Sequence, residues 1–101
     1  MKPGGDPAAV LAAHGLAPGP EGWDGAALAA AAEARGWAWS AEPIAGARPG
    51  QLGWKALVFD PASRGERRGR LPTTRHARGR GSTEAEALAA ALAGMLAQGG
   101  A

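Results

Sequence analysis

Arginine side chains are concentrated in one segment of this 101-residue chain, and anion binding is the clearest chemistry that its residue types offer. Seven arginines and one glutamate give residues 64–80 a charge of +6, whereas the remaining four bases and eight acids carry −4. A guanidinium group binds a carboxylate or a phosphate through two parallel hydrogen bonds. The segment is therefore predicted to bind an acidic partner through Arg64, Arg67, Arg68, Arg70, Arg75, Arg78 and Arg80. The alternative is a solvated loop whose arginines reflect a GC-rich coding sequence.

Side chains that commonly act in catalysis or bind metals are scattered. His14 and His76 have no further histidine or carboxylate nearby at the spacing of metal ligands. Glu33, Glu42 and Asp60 are candidates for a general acid and base, but nothing in the sequence pairs them, so they are interpreted as solvated surface carboxylates. The chain contains no cysteine, which excludes disulfides and thiolate chemistry. We therefore expect a protein that is not an enzyme and that needs no metal and no cofactor.

The residues that follow the arginines predict the helix that anchors them. Thr83 can cap a helix over residues 83–98, with Glu86 reaching back from the third helical position, and Gly99-Gly100 then ends it. Apolar residues recur at helical spacing along one side of this helix, at Ala85, Leu88, Ala89, Leu92, Met95 and Leu96.

The opposite side of this helix carries a strip of small residues without charge, namely Ala87, Ala90, Ala91 and Gly94. Such a strip allows close backbone approach, and nothing charged keeps it solvated. We therefore expect it to be an interface, covered by a second copy of the chain in a homodimer or by another partner.

Two further helices and three strands are predicted upstream. Asp6-Pro7 begins a short helix over 7–14, and Asp24 caps a second helix that ends at Gly36. Alternating apolar residues predict strands over 37–42 and 54–59. A third, more polar strand fits residues 73–80, although Gly79 and Gly81 weaken its strand propensity.

The predicted order α-α-β-β-β-α indicates an α+β fold in which a three-stranded antiparallel sheet is packed by helices. Residues 1–23 form a tail, the short helix and a linker, and residues 24–101 form the αβββα domain. Two helices are expected on one sheet face, with the N-terminal helix as a candidate for the other. Tryptophans more often fill a small core than stack on nucleobases, so the predicted core is Trp37, Trp39, Trp54, Val58, Leu88 and Leu92.

From Asp24 onward this layout resembles the double-stranded-RNA-binding domain. The resemblance lies in Arg35-Gly36-Trp37 at the end of a helix, the three strands, and the segment from Gly79 to Ala87 that opens a long Ala/Leu helix. It implies the fold and, as a function, the binding of duplex nucleic acid. That family holds phosphates with paired lysines at the start of the last helix, where this chain has Thr83, Glu84 and Glu86. The run Gly-x-Gly-Ser-Thr-x-x-Glu-Ala-Leu is also similar to small phage-encoded α/β-sandwich proteins.

We therefore expect a small cytoplasmic binding protein that docks on an acidic protein surface or nucleoprotein complex. One form of this is an inhibitor of phage or mobile-element type. The alternative is a protein that binds double-stranded nucleic acid directly, and the salt dependence of duplex binding separates the two. No apolar run approaches the ~20 residues of a membrane span, so no membrane partner is expected.

Overall fold

A computed structural model of the chain describes residues 7–20, 22–46, 48, 52–61, 66–68, 71–73 and 75–99, with the backbone alone for 66–68 and 71–73. Three helices are present in these residues: α1 (Pro7–Ala13), α2 (Gly25–Ala34) and α3 (Glu84–Gly99). The strands are β1 (Ala38–Pro43), β2 (Trp54–Phe59), β3 (Glu66–Arg68), β4 (Leu71–Thr73) and β5 (His76–Gly81).

The main sheet is antiparallel and has the order β1-β2-β5. These strands correspond to the three predicted from the sequence, two by their alternation and one as a more polar segment, so the α+β fold with a three-stranded antiparallel sheet is confirmed. The third strand begins at His76 rather than at position 73, because residues 71–73 pair with residues 66–68 in a separate two-stranded sheet. This small β3–β4 sheet was not predicted.

The central helix α3 is surrounded by the rest of the protein. Its side chains from Ala87 to Leu96 are buried or nearly so all the way round the helix, and the exposed positions lie near its two ends. The sheet packs on one side of α3, while α1 and α2 pack on the others. A helix that is apolar on every side is typical of a core element rather than of a surface helix.

The small-residue strip on α3 is covered by the same chain, so its assignment to an interface with a second copy or a partner is corrected. A methyl group added to Gly79 would collide with the Ala91 backbone nitrogen and would lie 2.5 Å from the Ala87 carbonyl oxygen. Strand β5 and helix α3 can approach each other this closely only because the facing residues of both lack bulky side chains. The residues concerned, Ala87, Ala90, Ala91 and Gly94, pack toward β5 as part of the protein interior.

The sequence suggested helix α1 as a candidate to cover the second face of the sheet. In the structure, α1 instead joins the helical layer that contains α2 and α3. Its Leu11 is fully buried in the core, and α1 packs against α3. The physical reason is that α3 is apolar on its outer side as well, and the two bulky residues of α1, Val10 and Leu11, help to cover it. The second face of the sheet is therefore left without α1.

Most of the predicted core is observed, with two exceptions. Trp37, Val58, Leu88 and Leu92 are buried together, as predicted. Trp39 and Trp54 lie on the core face of the sheet but are only half-buried at its rim. Trp23, beside the linker, also packs against the core from a half-buried position.

Candidate partner-binding surface

The sheet face opposite the helices carries nine side chains in three cross-strand rows, which we call the open face. The helices contribute to the core on the other side of the sheet, through residues such as Leu11, Leu28 and Leu92. The pairing register sets the rows of the open face, which are Glu42–Lys55–Arg80, Ser40–Leu57–Arg78 and Ala38–Phe59–His76. The charged and polar side chains are exposed, whereas Ala38, Leu57 and Phe59 are half-buried.

A depression of about 560 Å³ lies on the open face, where the first two rows meet. It is a surface groove rather than an enclosed cavity, since its floor is one face of a sheet. A groove of this form suits the side chains of a macromolecular partner better than an engulfed small ligand. The lining residues are Ser40, Glu42, Lys55, Ala56, Leu57, Arg78, Gly79 and Arg80.

Positive charge is crowded at one end of the open face. Lys55 forms an ion pair with Glu42 at 3.1 Å, and Arg80 lies directly opposite Lys55 on the neighbouring strand. Arg78 follows two residues away on the same face of β5. Among the described residues, no acidic side chain pairs with Arg78 or Arg80. Like charges placed opposite each other destabilise a strand pair, and Glu42 offsets the charge of Lys55 alone. An anion bound here would offset the charges of Arg78 and Arg80.

The predicted arginines are divided by the structure into three groups. Arg78 and Arg80 lie exposed on the open face, and Arg75 lies exposed just before β5. Arg67 and Arg68 lie on β3, for which only the backbone is described. Two predicted residues, Arg64 and Arg70, lie outside the described residues. The structure thus brings Arg78 and Arg80 together with Lys55.

Lys55 and Glu42 are site residues that charge clustering in the sequence did not indicate. Each is isolated among apolar neighbours, so neither belongs to the arginine segment. Strand alternation was the signal that could have found them, because Lys55 alternates with the core-facing Trp54 and Ala56. Pairing between β1 and β2 then places Glu42 beside it.

Thr83 caps the start of α3 as predicted, and the helix itself begins one residue later, at Glu84. The Glu86 carboxylate, however, reaches back to Ser82 rather than to Thr83. The Glu86 N–H donates to the Thr83 hydroxyl oxygen at 3.1 Å. The Glu86 carboxylate accepts from the Ser82 hydroxyl at 2.6 Å and from the Ser82 N–H at 3.0 Å. The Ser82 side-chain bond and then the backbone bond lower the pKa of Glu86. The first turn of α3 therefore carries a carboxylate that is held by the protein's own Ser82.

The remaining candidates for chemistry make local contacts. The Nδ1 atom of His14 lies 3.1 Å from the carbonyl oxygen of Val10, within the same helical turn. Trp39 donates from its indole nitrogen to the Glu33 carboxylate at 3.1 Å. Within the described residues, histidine and carboxylate side chains nowhere gather in a group of three that could hold a metal ion.

Comparison of the chain with known families, sequences and structures finds no significant match. No protein-family model matches it, no curated protein is significantly similar in sequence, and no solved structure is significantly similar in fold. Where the structure describes the chain, none of its helices has the length and apolarity needed to cross a bilayer. The open face and its charges are therefore the features of the molecule that bear on function.

Proposed function

We propose that this chain is a non-catalytic binding protein whose open face docks on an acidic surface of a partner protein. One observation carries the proposal. Arg78 and Arg80 stand side by side, next to Lys55, on a sheet face opposite the helical layer, and neither arginine has an acidic partner among the described residues. The two guanidinium groups are exposed and lie two residues apart on one strand, so each can bind a different carboxylate through two hydrogen bonds.

The apolar middle of the open face supports docking over simple solvation. Leu57 and Phe59 lie on the central strand β2, between side chains of β1 and β5, and keep part of their surface exposed. Protein interfaces combine an apolar centre with a polar rim, and arginine is enriched in them. A row of solvated arginines alone would not need apolar neighbours.

An acidic protein suits this surface better than a nucleic acid backbone does. The Glu42–Lys55 ion pair lies in the same groove as Arg80 and places a carboxylate in the path of a phosphate chain that crossed the sheet. Glu84 and Glu86 also make the first turn of α3 acidic. A protein partner can place a donor against Glu42 and carboxylates against the arginines, which gives complementary charge across the whole groove. An inhibitor of phage or mobile-element type would be one biological form of such a binding protein. The residues of the site do not distinguish this form from others.

The test measures binding of a fluorescent oligo-glutamate peptide and of a mixed-sequence RNA duplex by anisotropy at several salt concentrations. We expect the peptide to bind and its affinity to fall with salt. Arg78→Gln and Arg80→Gln should each weaken peptide binding by up to about fivefold, the range of one exposed ion pair. Arg35→Gln is the matched control, because it removes one exposed positive charge that follows α2.

Equal peptide affinity for the parent and both open-face variants would contradict the proposal. Preferential binding of the RNA duplex, with a logarithmic salt slope of about 0.7 to 0.9 per neutralised phosphate, would favour the nucleic-acid alternative. Circular dichroism of each variant shows whether the fold is retained.

A further inference from the structure

Strand β5 is an edge strand of the main sheet, because it pairs only with β2 among the described residues. In an antiparallel pair, alternate residues direct their N–H and C=O groups to the neighbouring strand, and the residues between them direct theirs away. The Asp60 N–H donates to the Arg75 carbonyl oxygen at 2.9 Å, in the same register as β2 and β5. Odd-numbered residues of β5 therefore bond to β2. The backbone groups of Arg78 and Arg80 point outward.

Two further contacts agree with this alternation. The carbonyl of His76, an even-numbered residue, accepts a hydrogen bond at 2.8 Å from the Gln98 side chain of α3 instead of from β2. On the other edge, the Ile44 N–H donates to Gly53 at 2.7 Å, so the outward residues of β1 include Pro43. Proline has no N–H to offer, which closes part of the β1 edge to a new strand.

Backbone and side-chain features coincide at Arg78 and Arg80. Each of these residues presents an outward N–H and C=O at the sheet edge, and each places its guanidinium group on the open face. A strand that paired antiparallel with β5 would place the residues opposite them on the same face, about 6.8 Å apart along the strand. Acidic side chains at those two positions would meet the arginines directly.

We propose that β5 is a site of strand addition for an extended acidic segment of a partner protein, with carboxylates on alternate residues. This inference rests on the proposed function and specifies the form in which the acidic partner binds. Main-chain hydrogen bonds to the β5 edge supply affinity, while Arg78 and Arg80 select an acidic strand over a neutral one.

The same charges argue against the other occupants of this edge. In an antiparallel β5–β5 pair between two copies, arginines would face arginines across the new strand pair, which is a known device against edge-to-edge association. A nucleic acid strand offers phosphates to the side chains, but it has no alternating peptide N–H and C=O groups for the edge. An acidic peptide strand offers carboxylates to the arginine side chains and peptide N–H and C=O groups to the β5 edge.

The experiment compares four peptides. The first alternates glutamate with valine, the second has the same composition with its glutamates consecutive, and the third is the alternating peptide with N-methyl groups on its glutamates. In the proposed pairing the glutamates opposite Arg78 and Arg80 also donate the backbone hydrogen bonds, so N-methylation there blocks them. N-methylation of the valines is the matched control, since their N–H groups point away from β5.

We expect the alternating peptide to bind best, the valine-methylated control to retain most of that affinity, and the glutamate-methylated peptide to lose it. Amide hydrogen exchange followed by NMR provides a second readout. In the free protein the Arg78 and Arg80 amides should exchange faster than those of Ala77 and Gly79. Binding of the alternating peptide should slow the Arg78 and Arg80 amides by at least about tenfold, because they become hydrogen-bonded.

The results of these experiments distinguish a failure of strand addition from a failure of docking on the open face. If both acidic arrangements bind alike through Arg78 and Arg80, and no amide of β5 gains protection, strand addition is wrong while docking on the open face stands. If none of the acidic peptides binds, both proposals fail. Protection of these amides by an RNA duplex but not by the peptides would overturn the acidic-strand assignment.

Discussion

Ser82 is the residue at which β5 gives way to α3, and it holds the Glu86 carboxylate by two hydrogen bonds. Its hydroxyl and its N–H both donate to the same oxygen of Glu86. Bonds of this kind favour the ionised carboxylate, so the pKa of Glu86 is lowered, mainly by the side chain of Ser82 and next by its backbone. The negative charge also lies at the positive end of the α3 dipole, where it stabilises the helix.

Replacing Ser82 by alanine should raise the pKa of Glu86 toward its ordinary value, because the stronger of the two bonds is lost. In the parent, the folded-state pKa lies below the unfolded one. The contribution of Glu86 to stability is therefore complete above the unfolded pKa, and it is lost as the pH falls through the folded pKa. A carbon-detected NMR titration of the Glu86 carboxyl in both proteins measures the shift. An unchanged pKa in Ser82→Ala would show that the side-chain bond does not hold the charge.

At the scale of elements, the packing of α3 against β5 depends on glycine in the strand. A methyl group at Gly81 would lie 2.5 Å from the Glu86 Cβ and 2.6 Å from the Ala87 nitrogen, and Gly79 meets the α3 backbone at least as closely. Glycine weakens a strand interior by itself. Here it allows a helix to lie directly on the strand, and this contact holds β5 and its arginines in place.

Gly79→Ala should destabilise the fold by about 1 to 3 kcal/mol or more, since the added methyl group meets backbone atoms that cannot move aside. Gly25→Ala is the matched control. There the new methyl group would lie 3.8 Å from the Ala85 Cβ, an ordinary contact, and alanine suits the helix better than glycine. Urea denaturation of both variants provides the comparison. Equal free energies of unfolding would mean that α3 and β5 do not approach as closely as described.

Local patterns in the sequence predicted most of these elements because each has its own signal. The capping residues Thr83 and Glu86 marked α3, and alternation marked β1 and β2. The partners of each surface were harder to predict, since they depend on contacts between residues distant in the chain. For Gly79, the sequence indicates only a low strand propensity. Nothing local indicates that it accommodates Ala91.

For the whole molecule, the decisive feature is that the helices share one face of the sheet and leave the other open. Arg78 and Arg80 were predicted to bind an anion from the density of arginines alone. Their neighbours Lys55 and Glu42 became visible only when pairing brought three strands together. The N-terminal helix could not be placed by sequence, because Val10 and Leu11 fit any apolar surface and only the fold shows that α3 offers one.

Binding of an acidic partner to the open face can be tested directly by a map of NMR amide and side-chain shifts in the protein titrated with an oligo-glutamate peptide. We expect the shifted signals to belong to the open face, above all to Lys55, Leu57, Arg78 and Arg80. Signals from buried residues of the helical layer, such as Leu28, should stay in place. Raising the salt concentration should reverse the shifts, because the contacts are between exposed charges. Shifts confined to the helical side, or none at saturating peptide, would contradict the claim that the open face binds an acidic partner.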